Sequence, residues 1–324
     1  LYFMITIKRY IEKNSSTWDN FIRISNNGTI FHLRKFINYH PKNRFKDHSL
    51  EFYKKNTLLC VFPAAELVQG SKRLLVSHPG TSFGSFVFLE NLSIHDSFRI
   101  VEMLINYSKE KHFDGIKVTL PPIFYYNHIS NYIDFSLLKN GFNYIKREVT
   151  STLTLEPSND TILSNFRPSH ARAVKKAIEI GVDIKISNNL KEFYQILKEN
   201  LKIRHGVSPT HTIDELYNLM DLFPNSINIF SAYYKNKMIA GILNIKVKDD
   251  VSLAFYISHK EKYQDFRPLN LLFYSVFKWA IKEKIKIYDF GIFTIDGNPN
   301  MGLGRFKENF GASGIFRDTL QILF

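Results

Sequence analysis

Residues 252–290 read SLAFYISHKEKYQDFRPLNLLFYSVFKWAIKEKIKIYDF, and the fold turns on how they are parsed. A short apolar run, 252–257, is followed by a polar loop. From Leu271, Leu272 and Tyr274 to Phe277 and Trp279, apolar residues then spread over a broad helical face, with lysines outside it. A second apolar run closes the segment at 286–290. This order (strand, loop, helix near 268–284, strand) describes a right-handed crossover that places both strands in one sheet. The same order occurs earlier: a run at 85–89, a helix near 95–112 and a run at 115–120. Its helix shows Phe98, Val101, Leu104, Ile105 and Tyr107 at helical spacing. Two such blocks separated by about 170 residues imply duplicated domains, because solenoid repeats have periods of roughly 20–50 residues.

Working outward, 57–64 and 238–245 read as strands that follow turns. Residues 142–157 form a long extended stretch, and 169–180 a basic amphipathic helix stopped by Gly181. Helices are expected near 190–203 and 212–221. The boundary falls near 150–160, which gives domains 4–155 and 156–324. Leu1, Tyr2 and Phe3 read as the remnant of a cleaved tag ahead of Met4.

The 324 residues are 44% hydrophobic and 23% charged, enough apolar content for a sizeable core. No run approaches the roughly 20 apolar residues that span a bilayer, and no secretory signal follows Met4. A lone cysteine, Cys60, sits in an apolar run. It excludes an internal disulfide, reads as a core residue, and fits a cytoplasmic location. The net charge of +13 favours polyanionic partners (nucleotides, CoA phosphates, tRNA, or peripheral contact with an anionic lipid surface) unless the lysines are simply solvated.

Three ordered segments carry a resemblance. They are Trp18-Asp19-Asn20-Phe21 with Gly28-Thr29-Ile30-Phe31-His32 and Phe36; Arg172-Ala173-Val174-Lys175-Lys176-Ala177 with Gly181-Val182; and Tyr288-Asp289-Phe290-Gly291 with Gly302-Leu303 and Phe306-Lys307-Glu308-Asn309-Phe310-Gly311-Ala312. Together they resemble the Fem peptidoglycan-bridge acyltransferases of the GNAT superfamily. The resemblance implies an α/β (α+β) protein of two tandem GNAT-like domains, each a mixed twisted sheet flanked by helices. It also implies transfer of an acyl or aminoacyl group to an amine, with acyl-CoA as the expected donor. The acceptor would be an amino sugar, an amino acid, or a nucleotide- or lipid-linked cell-envelope precursor. Two departures bear on the donor. The long helical arm of tRNA-dependent relatives has no room between Asn188 and Phe230, and the (Q/R)-x-x-G-x-(G/A) pyrophosphate loop is not intact at 263–270. An aminoacyl-tRNA-dependent transferase is the alternative within the class. A non-catalytic RNA- or membrane-surface-binding protein is the alternative outside it.

Acyl transfer to an amine needs a deprotonated nucleophile, a polarised donor carbonyl and a proton for the leaving group. No Gly-x-Ser-x-Gly elbow is present, so no covalent intermediate is expected. Asp289, at the end of an expected core strand, is the first candidate for acceptor binding or base, against a structural ion pair. His205 and His78 are further candidate bases. Arg267 before Pro268 suits an anion at a helix start, with Asn270 and Tyr263 beside it as donor-binding residues. Ser77 and Thr81 flank His78 in a loop that, by the resemblance, lines the acceptor groove. His211, Lys307 and Asn309 complete the expected substrate contacts. Thr212 and Glu215 form a capping box, which accounts for part of the polarity near His211. His205 and His211 lack metal-ligand spacing, so no metal is expected.

Overall fold

Proline ends one expected strand early, and the break sorts its two halves into different sheets. The stretch read as one strand at 57–64 is Thr57–Phe62 followed, after Pro63, by Ala64–Gln69. Proline has no N–H for a ladder, which makes it a natural corner. This computed structural model describes residues 4–156, 158 and 162–324, except the side chains of Arg204 and His205. The chain divides into two units, Leu1–Glu148 with Phe316–Phe324, and Val149–Ile315. The division runs through the strand Asn143–Thr154, and the last strand, Ser313–Leu323, carries the chain back into the first unit.

In the first unit an antiparallel sheet runs in the order Ile5–Arg9, Leu50–Lys54, Thr57–Phe62, Val87–Phe88. A second, mixed sheet runs Ser313–Leu323, Gly115–Thr119, Lys72–Ser77, Ala64–Gln69, Lys46–Asp47. The helix Ile94–Glu110 is capped by Ser93, whose hydroxyl accepts from the Asp96 amide at 3.0 Å. Its buried face (Ile100, Val101, Leu104) packs with Leu75, Phe86, Ile116 and Val118. Cys60 lies in the same core, and burial pushes its thiol pKa well up, so it is an inert packing residue.

One expectation is corrected here. Residues 85–89 and 115–120 do not share a sheet. The strand parallel to Gly115–Thr119 is Lys72–Ser77, while Val87–Phe88 joins Thr57–Phe62 in the other sheet. The Asn27 side chain explains the diversion. Its amide donates to the Phe86 carbonyl at 2.8 Å and accepts from the Phe88 N–H at 3.1 Å, holding that segment as a ladder neighbour would. Apolar spacing marks a short strand but does not say which sheet it enters.

The second unit orders its sheet Asp183–Ser187, Ile227–Tyr234, Lys237–Lys248, Val251–His259, Ile287–Ile292 and the end of Asn143–Thr154. All neighbours are antiparallel except Val251–His259 with Ile287–Ile292, the two strands of the 252–290 crossover. Between them, helix Pro268–Lys282 buries Leu271, Leu272, Phe273, Val276, Phe277 and Ala280 on the sheet. Each of these side chains larger than Ala280 contributes roughly 2 kcal/mol by leaving water. The basic helix is Pro168–Ile180, ended by Gly181 at φ +88°. It buries Val174 and Ala177, while Arg172, Lys175 and Lys176 are exposed to solvent. The helices Leu190–His205 and Ile213–Leu222 follow, the latter with the Thr212–Glu215 capping box formed. Among the described residues no helix is long and apolar enough to cross a membrane.

Candidate active site

The parallel strand pair in the second unit opens like a wedge. Pairing covers only Val251–Leu253 against Ile287–Asp289, and the strand Val251–His259 then runs on to His259. The cause lies at Gly291, whose φ is +76°, beside a register shift between Asp289 and Ile292 on the Thr150 side. A bulge of this kind bends a strand away from its neighbour. Past the fork, Phe255, Tyr256 and Ile257 are only half-buried, although their strand lies in the middle of the sheet.

Asp289 sits at the fork and is fully buried. Its Oδ1 accepts from the Thr150 hydroxyl at 2.5 Å and from the Gly291 N–H at 2.8 Å. Lys307, 2% exposed, reaches the same bulge from helix Met301–Glu308, donating to the Gly291 carbonyl at 2.7 Å and the Ile292 carbonyl at 2.9 Å. That helix starts with Asn300, whose side chain accepts from the Leu303 N–H at 3.0 Å. Gly304 lets the helix press against the Phe293 ring, leaving no room for a Cβ without a shift. A buried carboxylate and a buried ammonium thus grip the two sides of one bulge. Groups of this kind are stable inside a protein only when hydrogen-bonded.

The start of helix Pro268–Lys282 supplies the second half. Arg267 precedes it with φ +58°, a left-handed conformation that a branched-off side chain adopts at a cost of roughly 1 kcal/mol. Its guanidinium is partly exposed and makes a loose 3.9 Å pair with Asp265. In the first turn, Asn270 is 5% exposed, yet its Nδ2 is buried with no hydrogen-bond partner among the described residues. Tyr263 packs against Phe266, ring centroids 5.3 Å apart, and stands 6.3 Å from Tyr234.

His211 lies along the strand beyond the fork. Its Nδ1 is 2.7 Å from the Tyr256 hydroxyl, and its carbonyl accepts from the Tyr194 hydroxyl at 3.0 Å. Burial raises the Tyr256 pKa above its ordinary value. Asn309 caps the Lys307 helix, and its carbonyl accepts from the Arg167 N–H at 2.9 Å. The second unit therefore contains Asp289, Lys307, Asn309, His211, Arg267, Asn270 and Tyr263. The side chain of His205 lies outside the described residues.

His78, Ser77 and Thr81 belong to the first unit and are engaged locally. Ser77 Oγ accepts from the Thr119 N–H at 2.9 Å, and the Thr81 hydroxyl meets the carbonyls of His78 and Phe83 at 3.0 and 2.8 Å. His78 is 2% exposed and stacks at 6.4 Å on His40. Burial, helped by the charges of His40 and Arg34, lowers its pKa to about 4. It is a neutral imidazole at physiological pH.

Residues that sequence reasoning did not single out are Thr150, Tyr256 and His170. His170, on the basic helix, packs on Phe306 and Phe310 with ring centroids 5.3 and 4.6 Å away. Its Nε2 is buried without a hydrogen-bond partner among the described residues, and burial, with Arg267 acting in the same sense, lowers its pKa to about 4. The only sequence signal for it was a histidine inside a basic helix. Thr150 gave none, because its role depends on a pairing across 139 positions. Among the described residues no group of three or more His, Cys, Asp or Glu could hold a metal ion.

Residues 164–308 match the family described as Acetyltransferase (GNAT) domain. No curated protein matches the chain. Among solved structures, the chain superposes on the crystal structure of FemX with a TM-score of 0.76 at 14% identity, covering 98% of this chain and 97% of that one. It also resembles the C-terminal domain of a putative lysylphosphatidylglycerol synthetase from Agrobacterium fabrum, with a TM-score of 0.59, 8% identity and coverage of 95% and 91%. A tandem GNAT protein from the clavulanic acid biosynthesis pathway matches at 0.57, 7% identity and coverage of 99% and 98%. At such identities the likeness is one of fold, and that fold is the tandem, mixed-sheet α/β arrangement.

Proposed function

Taking the chain as a Fem-like GNAT-fold protein, we propose that it is an N-acyltransferase with its chemistry in the second unit. The observation that supports this most is the opened parallel strand pair, with Asp289 and Lys307 at its fork. The helix start at Arg267 belongs to the same crossover. Helix N–H groups and the positive helix end favour a phosphate there. Arg267 adds a charge-assisted contact, and the unpartnered Asn270 amide offers a donor to a polar group of the donor molecule. Acyl-CoA fits this arrangement as the donor. The helices Leu190–His205 and Ile213–Leu222 occupy the stretch where a tRNA-dependent relative would need a long arm, which favours acyl-CoA over aminoacyl-tRNA.

The acceptor amine enters as an ammonium and binds near Asp289, the nearest fixed negative charge at the fork. It loses one proton to Asp289 or to water through it. The free amine attacks the thioester carbonyl, forming the C–N bond and a tetrahedral oxyanion. Collapse breaks the C–S bond. The nitrogen then gives up its second proton, and the CoA thiolate takes one. Lys307 holds the bulge open and contributes positive charge beside the developing oxyanion. The acceptor belongs to amino sugars, amino acids or cell-envelope precursors, free or lipid-linked, and the enzyme works in the cytoplasm. Of the two domains, the second is the catalytic one.

Calorimetry and thermal shift with CoA, acetyl-CoA and total tRNA test the donor. Micromolar CoA binding with a raised Tm supports this reading. Salt-sensitive tRNA binding without a CoA response would replace acyl-CoA by aminoacyl-tRNA. No response to any of them would overturn the transferase reading.

A further inference from the structure

A second polar concavity lies in the first unit, on residues that the proposed chemistry does not use. It is open to solvent, spans about 440 Å³ and is lined by Arg9, Lys46, His48, Glu66, Arg73, Tyr107 and Lys111. Strand pairing builds it: Lys46 stands directly opposite Glu66, and Arg73, two pairs further along, reaches diagonally back to the same carboxylate. Tyr107 and Lys111 arrive from the end of helix Ile94–Glu110. Glu66 receives Lys46 at 2.9 Å, His48 at 3.0 Å and Arg73 at 3.0 and 3.1 Å. Burial alone would raise the Glu66 pKa, but these hydrogen bonds outweigh it and hold the pKa at about 2. Nδ1 of His48 faces Glu66 while Nε2 lies 2.8 Å from the Tyr107 hydroxyl. Burial keeps this imidazole pKa below its ordinary value.

Four permanent cations therefore face one carboxylate that is already saturated. Arg9 hydrogen-bonds only to the Asp47 carbonyl, at 2.7 Å, and neither it nor Lys111 has an ion pair among the described residues. The adverse end of the helix is neutralised: Arg73 Nη1 donates to the Lys111 carbonyl at 2.8 Å. Like charges gathered in a concavity repel one another unless an anion joins them. The volume falls within the roughly 300–1,000 Å³ typical of small-molecule sites and exceeds what a single phosphate fills. We propose that the first unit carries a separate binding site for a small soluble anion with more than one phosphoryl group, held by Arg9, Lys46, Arg73 and Lys111, with the Tyr107 hydroxyl as a neutral contact. This site does not depend on the acyl-transfer reading.

The test is calorimetry at low ionic strength with inorganic pyrophosphate, ADP and inorganic phosphate, using the whole chain. Pyrophosphate and ADP should bind, more tightly than phosphate, and weaken as salt rises. The double variant Arg9→Gln, Lys111→Gln changes two exposed side chains without a carboxylate partner, so its Tm should match wild type. It should lose at least about tenfold in pyrophosphate affinity. Failure of wild type to bind, or equal binding by the double variant, would each overturn the proposal. So would attachment only to phosphatidate vesicles with no binding of soluble pyrophosphate.

Discussion

Asp289 shows how much one carboxylate depends on its surroundings. With no exposed surface, it depends on the hydrogen bonds that its Oδ1 accepts from the Thr150 hydroxyl and the Gly291 amide. Replacing it by Asn preserves shape and the Thr150 contact but removes the charge. Turnover should then fall at least about tenfold, roughly 1.4 kcal/mol in the barrier, with the fold intact. Steady-state kinetics alongside circular dichroism check this, and wild-type turnover would take Asp289 out of the mechanism. The histidines speak to pH instead. His78 and His170 have pKa values lowered from the ordinary 6.5 to about 4, so the unfolded chain takes up their protons first. Their stabilisation is complete above about pH 6.5 and is lost as pH falls towards 4. Between these limits each contributes a slope of up to about 1.4 kcal/mol per pH unit, less for the half-buried His170. Thermal melts from pH 7 to 4.5 should show a falling Tm, and His78→Gln should flatten the curve. An unchanged slope in that variant would place the acid sensitivity elsewhere.

Elements reveal where strain has been retained. Arg267 holds a left-handed backbone at the start of a helix whose interior is otherwise regular and apolar. A strained residue at a candidate anion site is an expected place for function to oppose stability. Arg267→Gly should therefore raise stability by about 1 kcal/mol while weakening CoA binding. Chemical denaturation and calorimetry on the same variant check both halves. Destabilisation, or unaltered CoA affinity, would show that Arg267 serves the helix rather than a ligand. The crossover around this helix was legible in the sequence because its strands and helix are long and strongly patterned. The opening motif also has a physical reason: Trp18 Nε1 donates to the His32 carbonyl at 2.8 Å, and a Cβ on Gly28 would collide with the Ile22 carbonyl oxygen. The path of Val87–Phe88 was not legible, because it is decided by the distant Asn27 amide. The fork itself was hidden too. Its bulge follows from the register shift between the pairs Asp289↔Thr152 and Ile292↔Thr150, and the Tyr288–Gly291 motif does not announce such a shift between distant strands.

At the scale of the whole molecule, the two halves are not separable where the sequence suggests. Residues 316–324 belong to the first unit, although about half the chain lies between them and residue 148. The strand Ser313–Leu323 pairs with Gly115–Thr119 from Thr319↔Thr119 to Leu323↔Gly115, and Leu320 is fully buried in the first unit's core. Arg147 and Asp318 add an ion pair at 2.9 Å, exposed enough to contribute little. Removing this strand leaves Gly115–Thr119 as an open edge, with unpaired backbone groups beside Ile116 and Val118. A fragment of residues 4–155 should consequently be insoluble or aggregate. A chain truncated after Ile315 should lose the first unit's cooperative melting although its deleted residues are the last in sequence. Co-expression of 4–155 with a peptide of residues 313–324 should restore solubility by returning the missing strand. A soluble, cooperatively folding 4–155 fragment would refute this. It would also show that the returning strand decorates the first unit rather than completing it.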